Sequence, residues 1–403
     1  MNESHYTAEA SDYLARLCGV VPNRRTGSKG NQQATAFFAE TISRFDYAVD
    51  THPFDCLDYE SEAPLLTHED DSFAVFTSPY STACETSAEL VSVSTVNDLE
   101  TVSCRDRILL LKGELCEEQL MPRNFVFYNP EHHKKIYALL EAKAPAAIIT
   151  ATAKKPDQVG ALYPFPLIVD GDFDIPSVYC TDRVGTEIAK RTEGRFTLSI
   201  RAKRIPSSAC NVIARKNANA PKKIGVTAHI DAYEDTPGAS DNASGTVVLL
   251  LLAEMLRDYR ASCGLEIMAL NGEDHYSAGG QMDYLRRFGS DIGNVLWVAN
   301  IDDVGYKNGR TSWSHYGVDE QMQKNMRSVF NSRQGLVEGE PWFNGDHMIF
   351  VQKGCPALAF TSEKMPELMA TITHTARDTP ENIDTAKLVE LAEALKELIH
   401  RTS

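Results

Sequence analysis

Ile224-Gly225-Val226-Thr227-Ala228-His229-Ile230-Asp231 is an apolar run that ends on a histidine and an acid, and Pro237-Gly238-Ala239-Ser240-Asp241-Asn242-Ala243-Ser244-Gly245 follows it closely. A run of this length reads as a strand buried on both faces, and the apolar segment 245–259 reads as the helix after it. The alternation then repeats. Strands are expected near 211–214, 223–228, 265–270, 295–301 and 357–361, and helices near 245–259, 279–288, 320–332 and 347–353, with a closing helix at 385–401. Strands alternating with helices predict an α/β fold, a mostly parallel sheet flanked by helices.

Upstream the texture differs. Residues 11–45 carry the helical spacing Ala34, Phe37, Phe38, Ile42, Phe45 and a polar stretch from Asn23 to Asn31, which reads as two helices joined by a loop; 47–54 alternates like a strand. From 58 to 204, short β-prone runs (73–76, 88–93, 107–112) are separated by polar turns, with one helix at 133–144 leading to a strand at 146–150. At 403 residues, a prior of roughly 100 to 200 residues per domain calls for more than one. The expected organisation is a main domain built from 1–57 and 205–403, with 58–204 inserted as a β-rich lobe.

Charge narrows the function classes. With 40 Lys and Arg against 56 Asp and Glu the net charge is −16, so there is no overall basic surface for nucleic acid or an anionic membrane. No apolar run reaches the roughly 20 residues needed to span a bilayer, and Met1-Asn2-Glu3-Ser4-His5-Tyr6 lacks the basic start and apolar region of a secretory leader, so a cytoplasmic protein is expected. Nine scattered cysteines without a Cys-x-x-Cys pair fit reduced thiols better than disulfides or a thiolate zinc site, although Cys104 and Cys116 are a conceivable pair.

The chemistry gathers at strand ends, where helix N-termini and loops converge in open α/β sheets. His229, Glu273, Asp274 and Asp302 each fall at or just after an expected strand, and His374 lies in a late loop with Asp378. Imidazole and carboxylate are zinc ligands, and two zincs need a side chain able to reach both, which a carboxylate can. Asp241 is the expected bridge, although Asp241-Asn242 also suits a helix cap or Asx turn. Asp231 is expected to fix the tautomer of His229. Of the adjacent acids, Asp274 suits a metal and Glu273 a proton, although such a pair is commonly only a solvated turn. Asp303 is expected at the surface or hydrogen-bonded to a ligand, and Asp378 to cap a helix or turn. His275, His315 and His347 are spare imidazoles, and Tyr306, Trp342 and Phe350 are either pocket walls or core.

Taken in order over Asn211 to Asp384, these elements resemble the M28 family of zinc peptidases: His-x-Asp at His229, the Pro237 to Gly245 stretch, Glu273-Asp274, Asn300-x-Asp302, and His374-Thr with Asp378-Thr. The resemblance implies a zinc exopeptidase-like fold and two zinc ions, with manganese or cobalt as other occupants. One ion would be held by His229, Asp241 and Asp302, the other by Asp241, Asp274 and His374. Glu273 would be the catalytic base and acid, with Asp231 orienting His229. The implied activity is that of an aminopeptidase acting on peptides with a free N-terminus. Three positions depart from the pattern: Asp274 replaces a glutamate common in relatives, Thr373 a tyrosine found in some, and Gly345 a serine before Asp346-His347. The lobe at 58–204 resembles a protease-associated insertion, whose usual role is to shape access. Two other classes fit part of the pattern: a glutaminyl-cyclase-like aminoacyltransferase with one zinc, and a noncatalytic peptide-binding relative.

Overall fold

The computed structural model describes residues 3–20, 23–127, 129–153 and 163–403; Met1 and Asn2, part of the stretch read for a leader, lie outside them. The chain divides into two compact units, one formed by Met1–Cys56 with Ser207–Ser403 and the other by Leu57–Pro206.

In the first unit an eight-stranded sheet runs in the order Ala48–Ser61, Ala202–Lys216, Gly264–Leu270, Lys223–His229, Val295–Ile301, Ala357–Ser362, Thr311–Tyr316, Leu336–Glu338. Its four central strands are parallel, in register Ile224 with Leu265, Val226 with Ala299, and Ala299 with Leu358. Antiparallel neighbours flank this centre: Ala202–Lys216 on Gly264–Leu270, and Thr311–Tyr316 on Ala357–Ser362. The strands Thr311–Tyr316 and Leu336–Glu338 had no counterpart among the expected elements. The former, Thr-Ser-Trp-Ser-His-Tyr, buries serines rather than alternating apolar with polar, so periodicity gave no sign of it.

Burial follows from composition. Gly264–Leu270 is buried along its whole length, as a parallel strand covered on both faces must be. The helix Gly245–Met255 has apolar residues around its whole circumference, Val247 to Leu252 all buried, which makes it the helix at the middle of the core. The closing helix Thr385–Thr402 is instead amphipathic, burying Leu388, Leu391, Leu395 and Leu398, and starts where the Asp384 carboxylate accepts the Ala386 amide. At the N-terminus Glu3–Cys18 and Lys29–Ser43 are the expected pair of helices, the second capped by Ser28. The stretch between them is not a solvated loop: Asn23 to Thr26 and Ser28 are buried.

The second unit contains a four-stranded antiparallel sheet and a five-stranded, mostly parallel sheet. Two of the expected strands break. Ala88 pairs with Phe196 in the first sheet while Leu90 pairs with Ile108 in the second, so the apolar run 88–93 is split where the chain changes sheets. The run 73–76 divides likewise between Phe73, paired with Leu66, and Phe76, paired with Tyr179. With the helices Val96–Thr101, Glu131–Lys143 and Asp182–Ala189, this unit has more α/β character than a β-rich lobe. Cys104 and Cys116 are both buried free thiols.

Candidate metal centre

The central parallel strands bring three acid or histidine positions to one end of the sheet. His229 is the last residue of Lys223–His229; Asp274 lies four residues beyond Gly264–Leu270; Asp302 follows Val295–Ile301 directly. His374 arrives from the segment after the short helix Met365–Thr371.

Asp241 is the pivot. Its Oδ1 lies 3.2 Å from His229 Nε2, which is 3.3 Å from Asp302 Oδ1; its Oδ2 lies 3.0 Å from His374 Nε2, itself 3.0 Å from Asp274 Oδ1. Two clusters of nitrogen and oxygen donors therefore share one carboxylate, one oxygen to each. Ligands about 2.0–2.1 Å from a tetrahedral zinc stand about 3.3–3.4 Å apart, and the observed separations are close to that.

The Asp241 loop is held from several sides. The amides of Ser240 and Asp241 donate to the Asp378 carboxylate at 2.7 and 3.1 Å, Asn242 Nδ2 donates to the Ile301 carbonyl at 2.8 Å, and Asn242 Oδ1 accepts the Gly245 amide at 2.9 Å. Asn242 thus takes the capping role, leaving both Asp241 oxygens to the imidazoles. Asp378 acts as a cap, but on the Asp241 loop. Asp303 is buried and accepts from Ser240 Oγ at 2.6 Å, which removes the surface reading for it.

Asp231 Oδ1 faces His229 Nδ1 at 3.7 Å, longer than a direct hydrogen bond, and the carboxylate also accepts from the amides of Gly272 at 2.7 Å and Asp274 at 3.2 Å and from His275 Nδ1 at 3.0 Å. It shapes the turn that carries Glu273 and Asp274. His275 is accordingly tied to Asp231, whereas His347 donates from Nε2 to the Trp342 carbonyl at 2.8 Å and His315 stacks along Trp313.

Electrostatics single out the same cluster. Burial, reinforced by the charges of Asp274, Asp302 and Asp346, drives the Glu273 carboxyl well above its ordinary range against the pull of His229. Burial likewise raises Asp302 to about 6, although His229 opposes it, and Asp274 is raised by burial and by Asp241. Burial disfavours the charged imidazoles, yet Asp302 and its neighbours raise His229, and Asp274 and Asp241 raise His374. Carboxylates packed this closely cannot all ionise unless cations neutralise them. Asp274 Oδ2 and His229 Nδ1 are also buried without a hydrogen-bond partner. The donor set fits divalent metal.

Sequence reasoning missed Tyr233, whose ring stacks on His374 at 4.6 Å and 14°, and gave Asp346 no role of its own; Asp346 is fully buried with Gln281 Nε2 2.8 Å from Oδ1. Neither contact has a spacing signal, because each joins segments far apart in the chain. Phe350 is core, packed on Tyr284, and Tyr306 is buried with Leu368 and Ile372, its hydroxyl donating to Glu367 at 3.0 Å. Trp342 is half-buried. In the other unit Glu118, His132 and His133 also cluster, but His133 Nδ1 accepts the Met121 amide, so its neutral ring carries the hydrogen on Nε2 and donates it to Glu118 rather than offering a lone pair.

Residues 211–399 match the model of Peptidase family M28. Aminopeptidase YwaD of Bacillus subtilis (strain 168) is 24% identical over 243 residues, covering 56% of this chain and 51% of that protein, so the match spans about half the length of this curated relative. Among solved structures, an aminopeptidase from Aneurinibacillus sp. strain AM-1 superposes with a TM-score of 0.75 at 21% identity, over 98% of this chain and 93% of that one. BSAP, a zinc aminopeptidase from Bacillus subtilis, gives 0.76 at 18% identity, over 98% and 95%. These likenesses establish the shared α/β fold.

Proposed function

We propose that this chain, whose residues 211–399 match the model of peptidase family M28, is a two-zinc aminopeptidase that removes residues from the free N-terminus of peptides. The observation that carries the reading is the division of Asp241, with Oδ1 at His229 and Oδ2 at His374. In this reading His229, Asp241 and Asp302 would hold one ion, and Asp241, Asp274 and His374 the other. Manganese or cobalt would also suit such donors.

Bound zinc supplies Lewis acidity, lowering the pKa of water and polarising the scissile carbonyl. Glu273 takes the proton of the attacking water on its carboxylate and delivers it to the departing amine as the C–N bond breaks, leaving a free amino acid and a shortened peptide. Asp231 acts at one remove, fixing the turn on which Glu273 stands.

No described helix is long and apolar enough to cross a membrane. A cytoplasmic setting is supported by the nine free cysteines. The reading of Leu57–Pro206 as protease-associated-like rests on its sequence resemblance.

The test pairs metal analysis with a panel of aminoacyl and N-blocked peptides. Wild type is expected to hold two zincs and to cleave only free amines, and Glu273→Gln to lose about 10²- to 10⁴-fold in turnover with zinc retained. Cleavage of N-blocked peptides would overturn the exopeptidase reading, and one zinc with ring closure of N-terminal glutamine would replace it by the cyclase-like alternative.

A further inference from the structure

Arg24 is 1% exposed, and among the described residues no carboxylate lies within salt-bridge distance of it. Its guanidinium spends its hydrogens on backbone instead: Nε donates to Ile230 O at 3.0 Å, Nη1 to Leu17 O at 3.0 Å and Pro237 O at 2.7 Å, and Nη2 to Gly238 O at 2.7 Å. Ile230 is the residue after His229, and Gly238 stands three residues before Asp241. One planar group thus grips both ends of the excursion that separates these two side chains in sequence.

Its neighbour completes the hold. Arg25 pairs with Glu234 at 2.8 Å within the same excursion, beside the Tyr233 that stacks on His374. Only an arginine can do this with one side chain, since its donors leave a rigid plane in fixed directions, whereas a lysine presents a single nitrogen. Gly238 is part of the fit: it sits at φ +60°, and a Cβ there would stand 2.8 Å from Arg24 Nη2. Burying a cation without a paired anion is costly. The carbonyl acceptors and the charge of Asp378 offset the cost, and Arg24 in turn opposes the rise of the Asp378 carboxyl that caps the Asp241 loop.

We propose that Arg24 is a positioning residue for the metal centre, a guanidinium clip that sets His229 and Asp241 at their bridging separation before any ion arrives. The proposal rests on reading those two residues as ligands. The rival is a purely structural arginine that fastens the helix Glu3–Cys18 through Leu17 and has no bearing on the metal.

Two measurements on the full chain separate them. Zinc affinity is read by competition with a chromophoric chelator, and the absorption spectrum of the cobalt-loaded protein reports ligand geometry, for wild type, Arg24→Lys and, as a control for lost stability, Leu395→Ala. Arg24→Lys is expected to bind zinc at least tenfold more weakly with an altered cobalt spectrum, while Leu395→Ala melts lower with both unchanged. Wild-type affinity and spectrum in Arg24→Lys would overturn the clip. Hydrogen exchange on metal-free wild type tests the preorganisation that the clip requires, even if Arg24→Lys does not fold. The amides of Ala239, Ser240 and Asp241 should be protected before zinc is added, and free exchange until zinc arrives would sink the idea. Should wild type bind no zinc at all, the ligand assignment itself fails; equal affinity in wild type and Arg24→Lys removes only the clip.

Discussion

Gly245→Ala sets local propensity against tertiary packing at the point where the Asp241 loop meets the sheet. Gly245 has ordinary helical angles, φ −63° and ψ −42°, so alanine there would gain up to about 1 kcal/mol of helix propensity. Its Cβ, however, would lie 2.3 Å from the Ile301 carbonyl oxygen and 2.4 Å from Asn242 Oδ1. Carbon and carbonyl oxygen normally approach no closer than about 3.3 Å, so the helix must retreat by about 1 Å. Overpacking costs about 1–3 kcal/mol, and weakening the buried Asn242-to-Ile301 hydrogen bond adds about 1–3 kcal/mol. Net of the propensity gain, a loss of about 1–5 kcal/mol is expected. The functional consequence is larger than the loss of stability. Asn242 adjoins Asp241 and Ile301 adjoins Asp302, so the retreat separates two carboxylates that both meet His229, whereas metal sites tolerate about 0.2 Å. Urea unfolding should show the lost stability and chelator competition a zinc affinity down at least tenfold. Wild-type values in both assays would refute the close-packing argument.

Burial holds the His347 imidazole down at about 4, so the folded protein refuses a proton that the unfolded chain accepts below its ordinary 6.5. The stability this represents is complete above pH 6.5 and is lost as pH falls through 4, amounting to about 3 kcal/mol; in His347→Gln the slope of unfolding free energy across that window should flatten, and an unchanged slope would refute it. Leu395 is fully buried in the closing helix, and Leu395→Ala should cost about 2–5 kcal/mol in denaturant unfolding with zinc content untouched. Chelating the metal should lower the melting midpoint, by about 4 kcal/mol of lost stabilisation for zinc supplied at a thousandfold excess over its Kd, and added zinc should restore it; a midpoint indifferent to zinc would refute binding at a folded site.

The amino-acid sequence by itself determined the α/β class, the four central strands and the identity of the clustered acids and histidines, because buried parallel strands must be apolar along their length and the chemistry must follow at their ends. His229 after 224–228, Asp302 after 295–301 and the all-apolar helix from Gly245 were legible for that reason. What only the tertiary structure decided were the partners reached across long sequence separations. These include the splitting of Asp241 between two imidazoles, Asp231 gathering the Gly272 and Asp274 amides and the His275 ring, Asp303 buried against Ser240, and Arg24 clasping carbonyls more than two hundred residues away. Hydrophobic period records which face of an element is buried. Which donor meets which acceptor depends on how loops pack over the end of the sheet, and no local spacing encodes that.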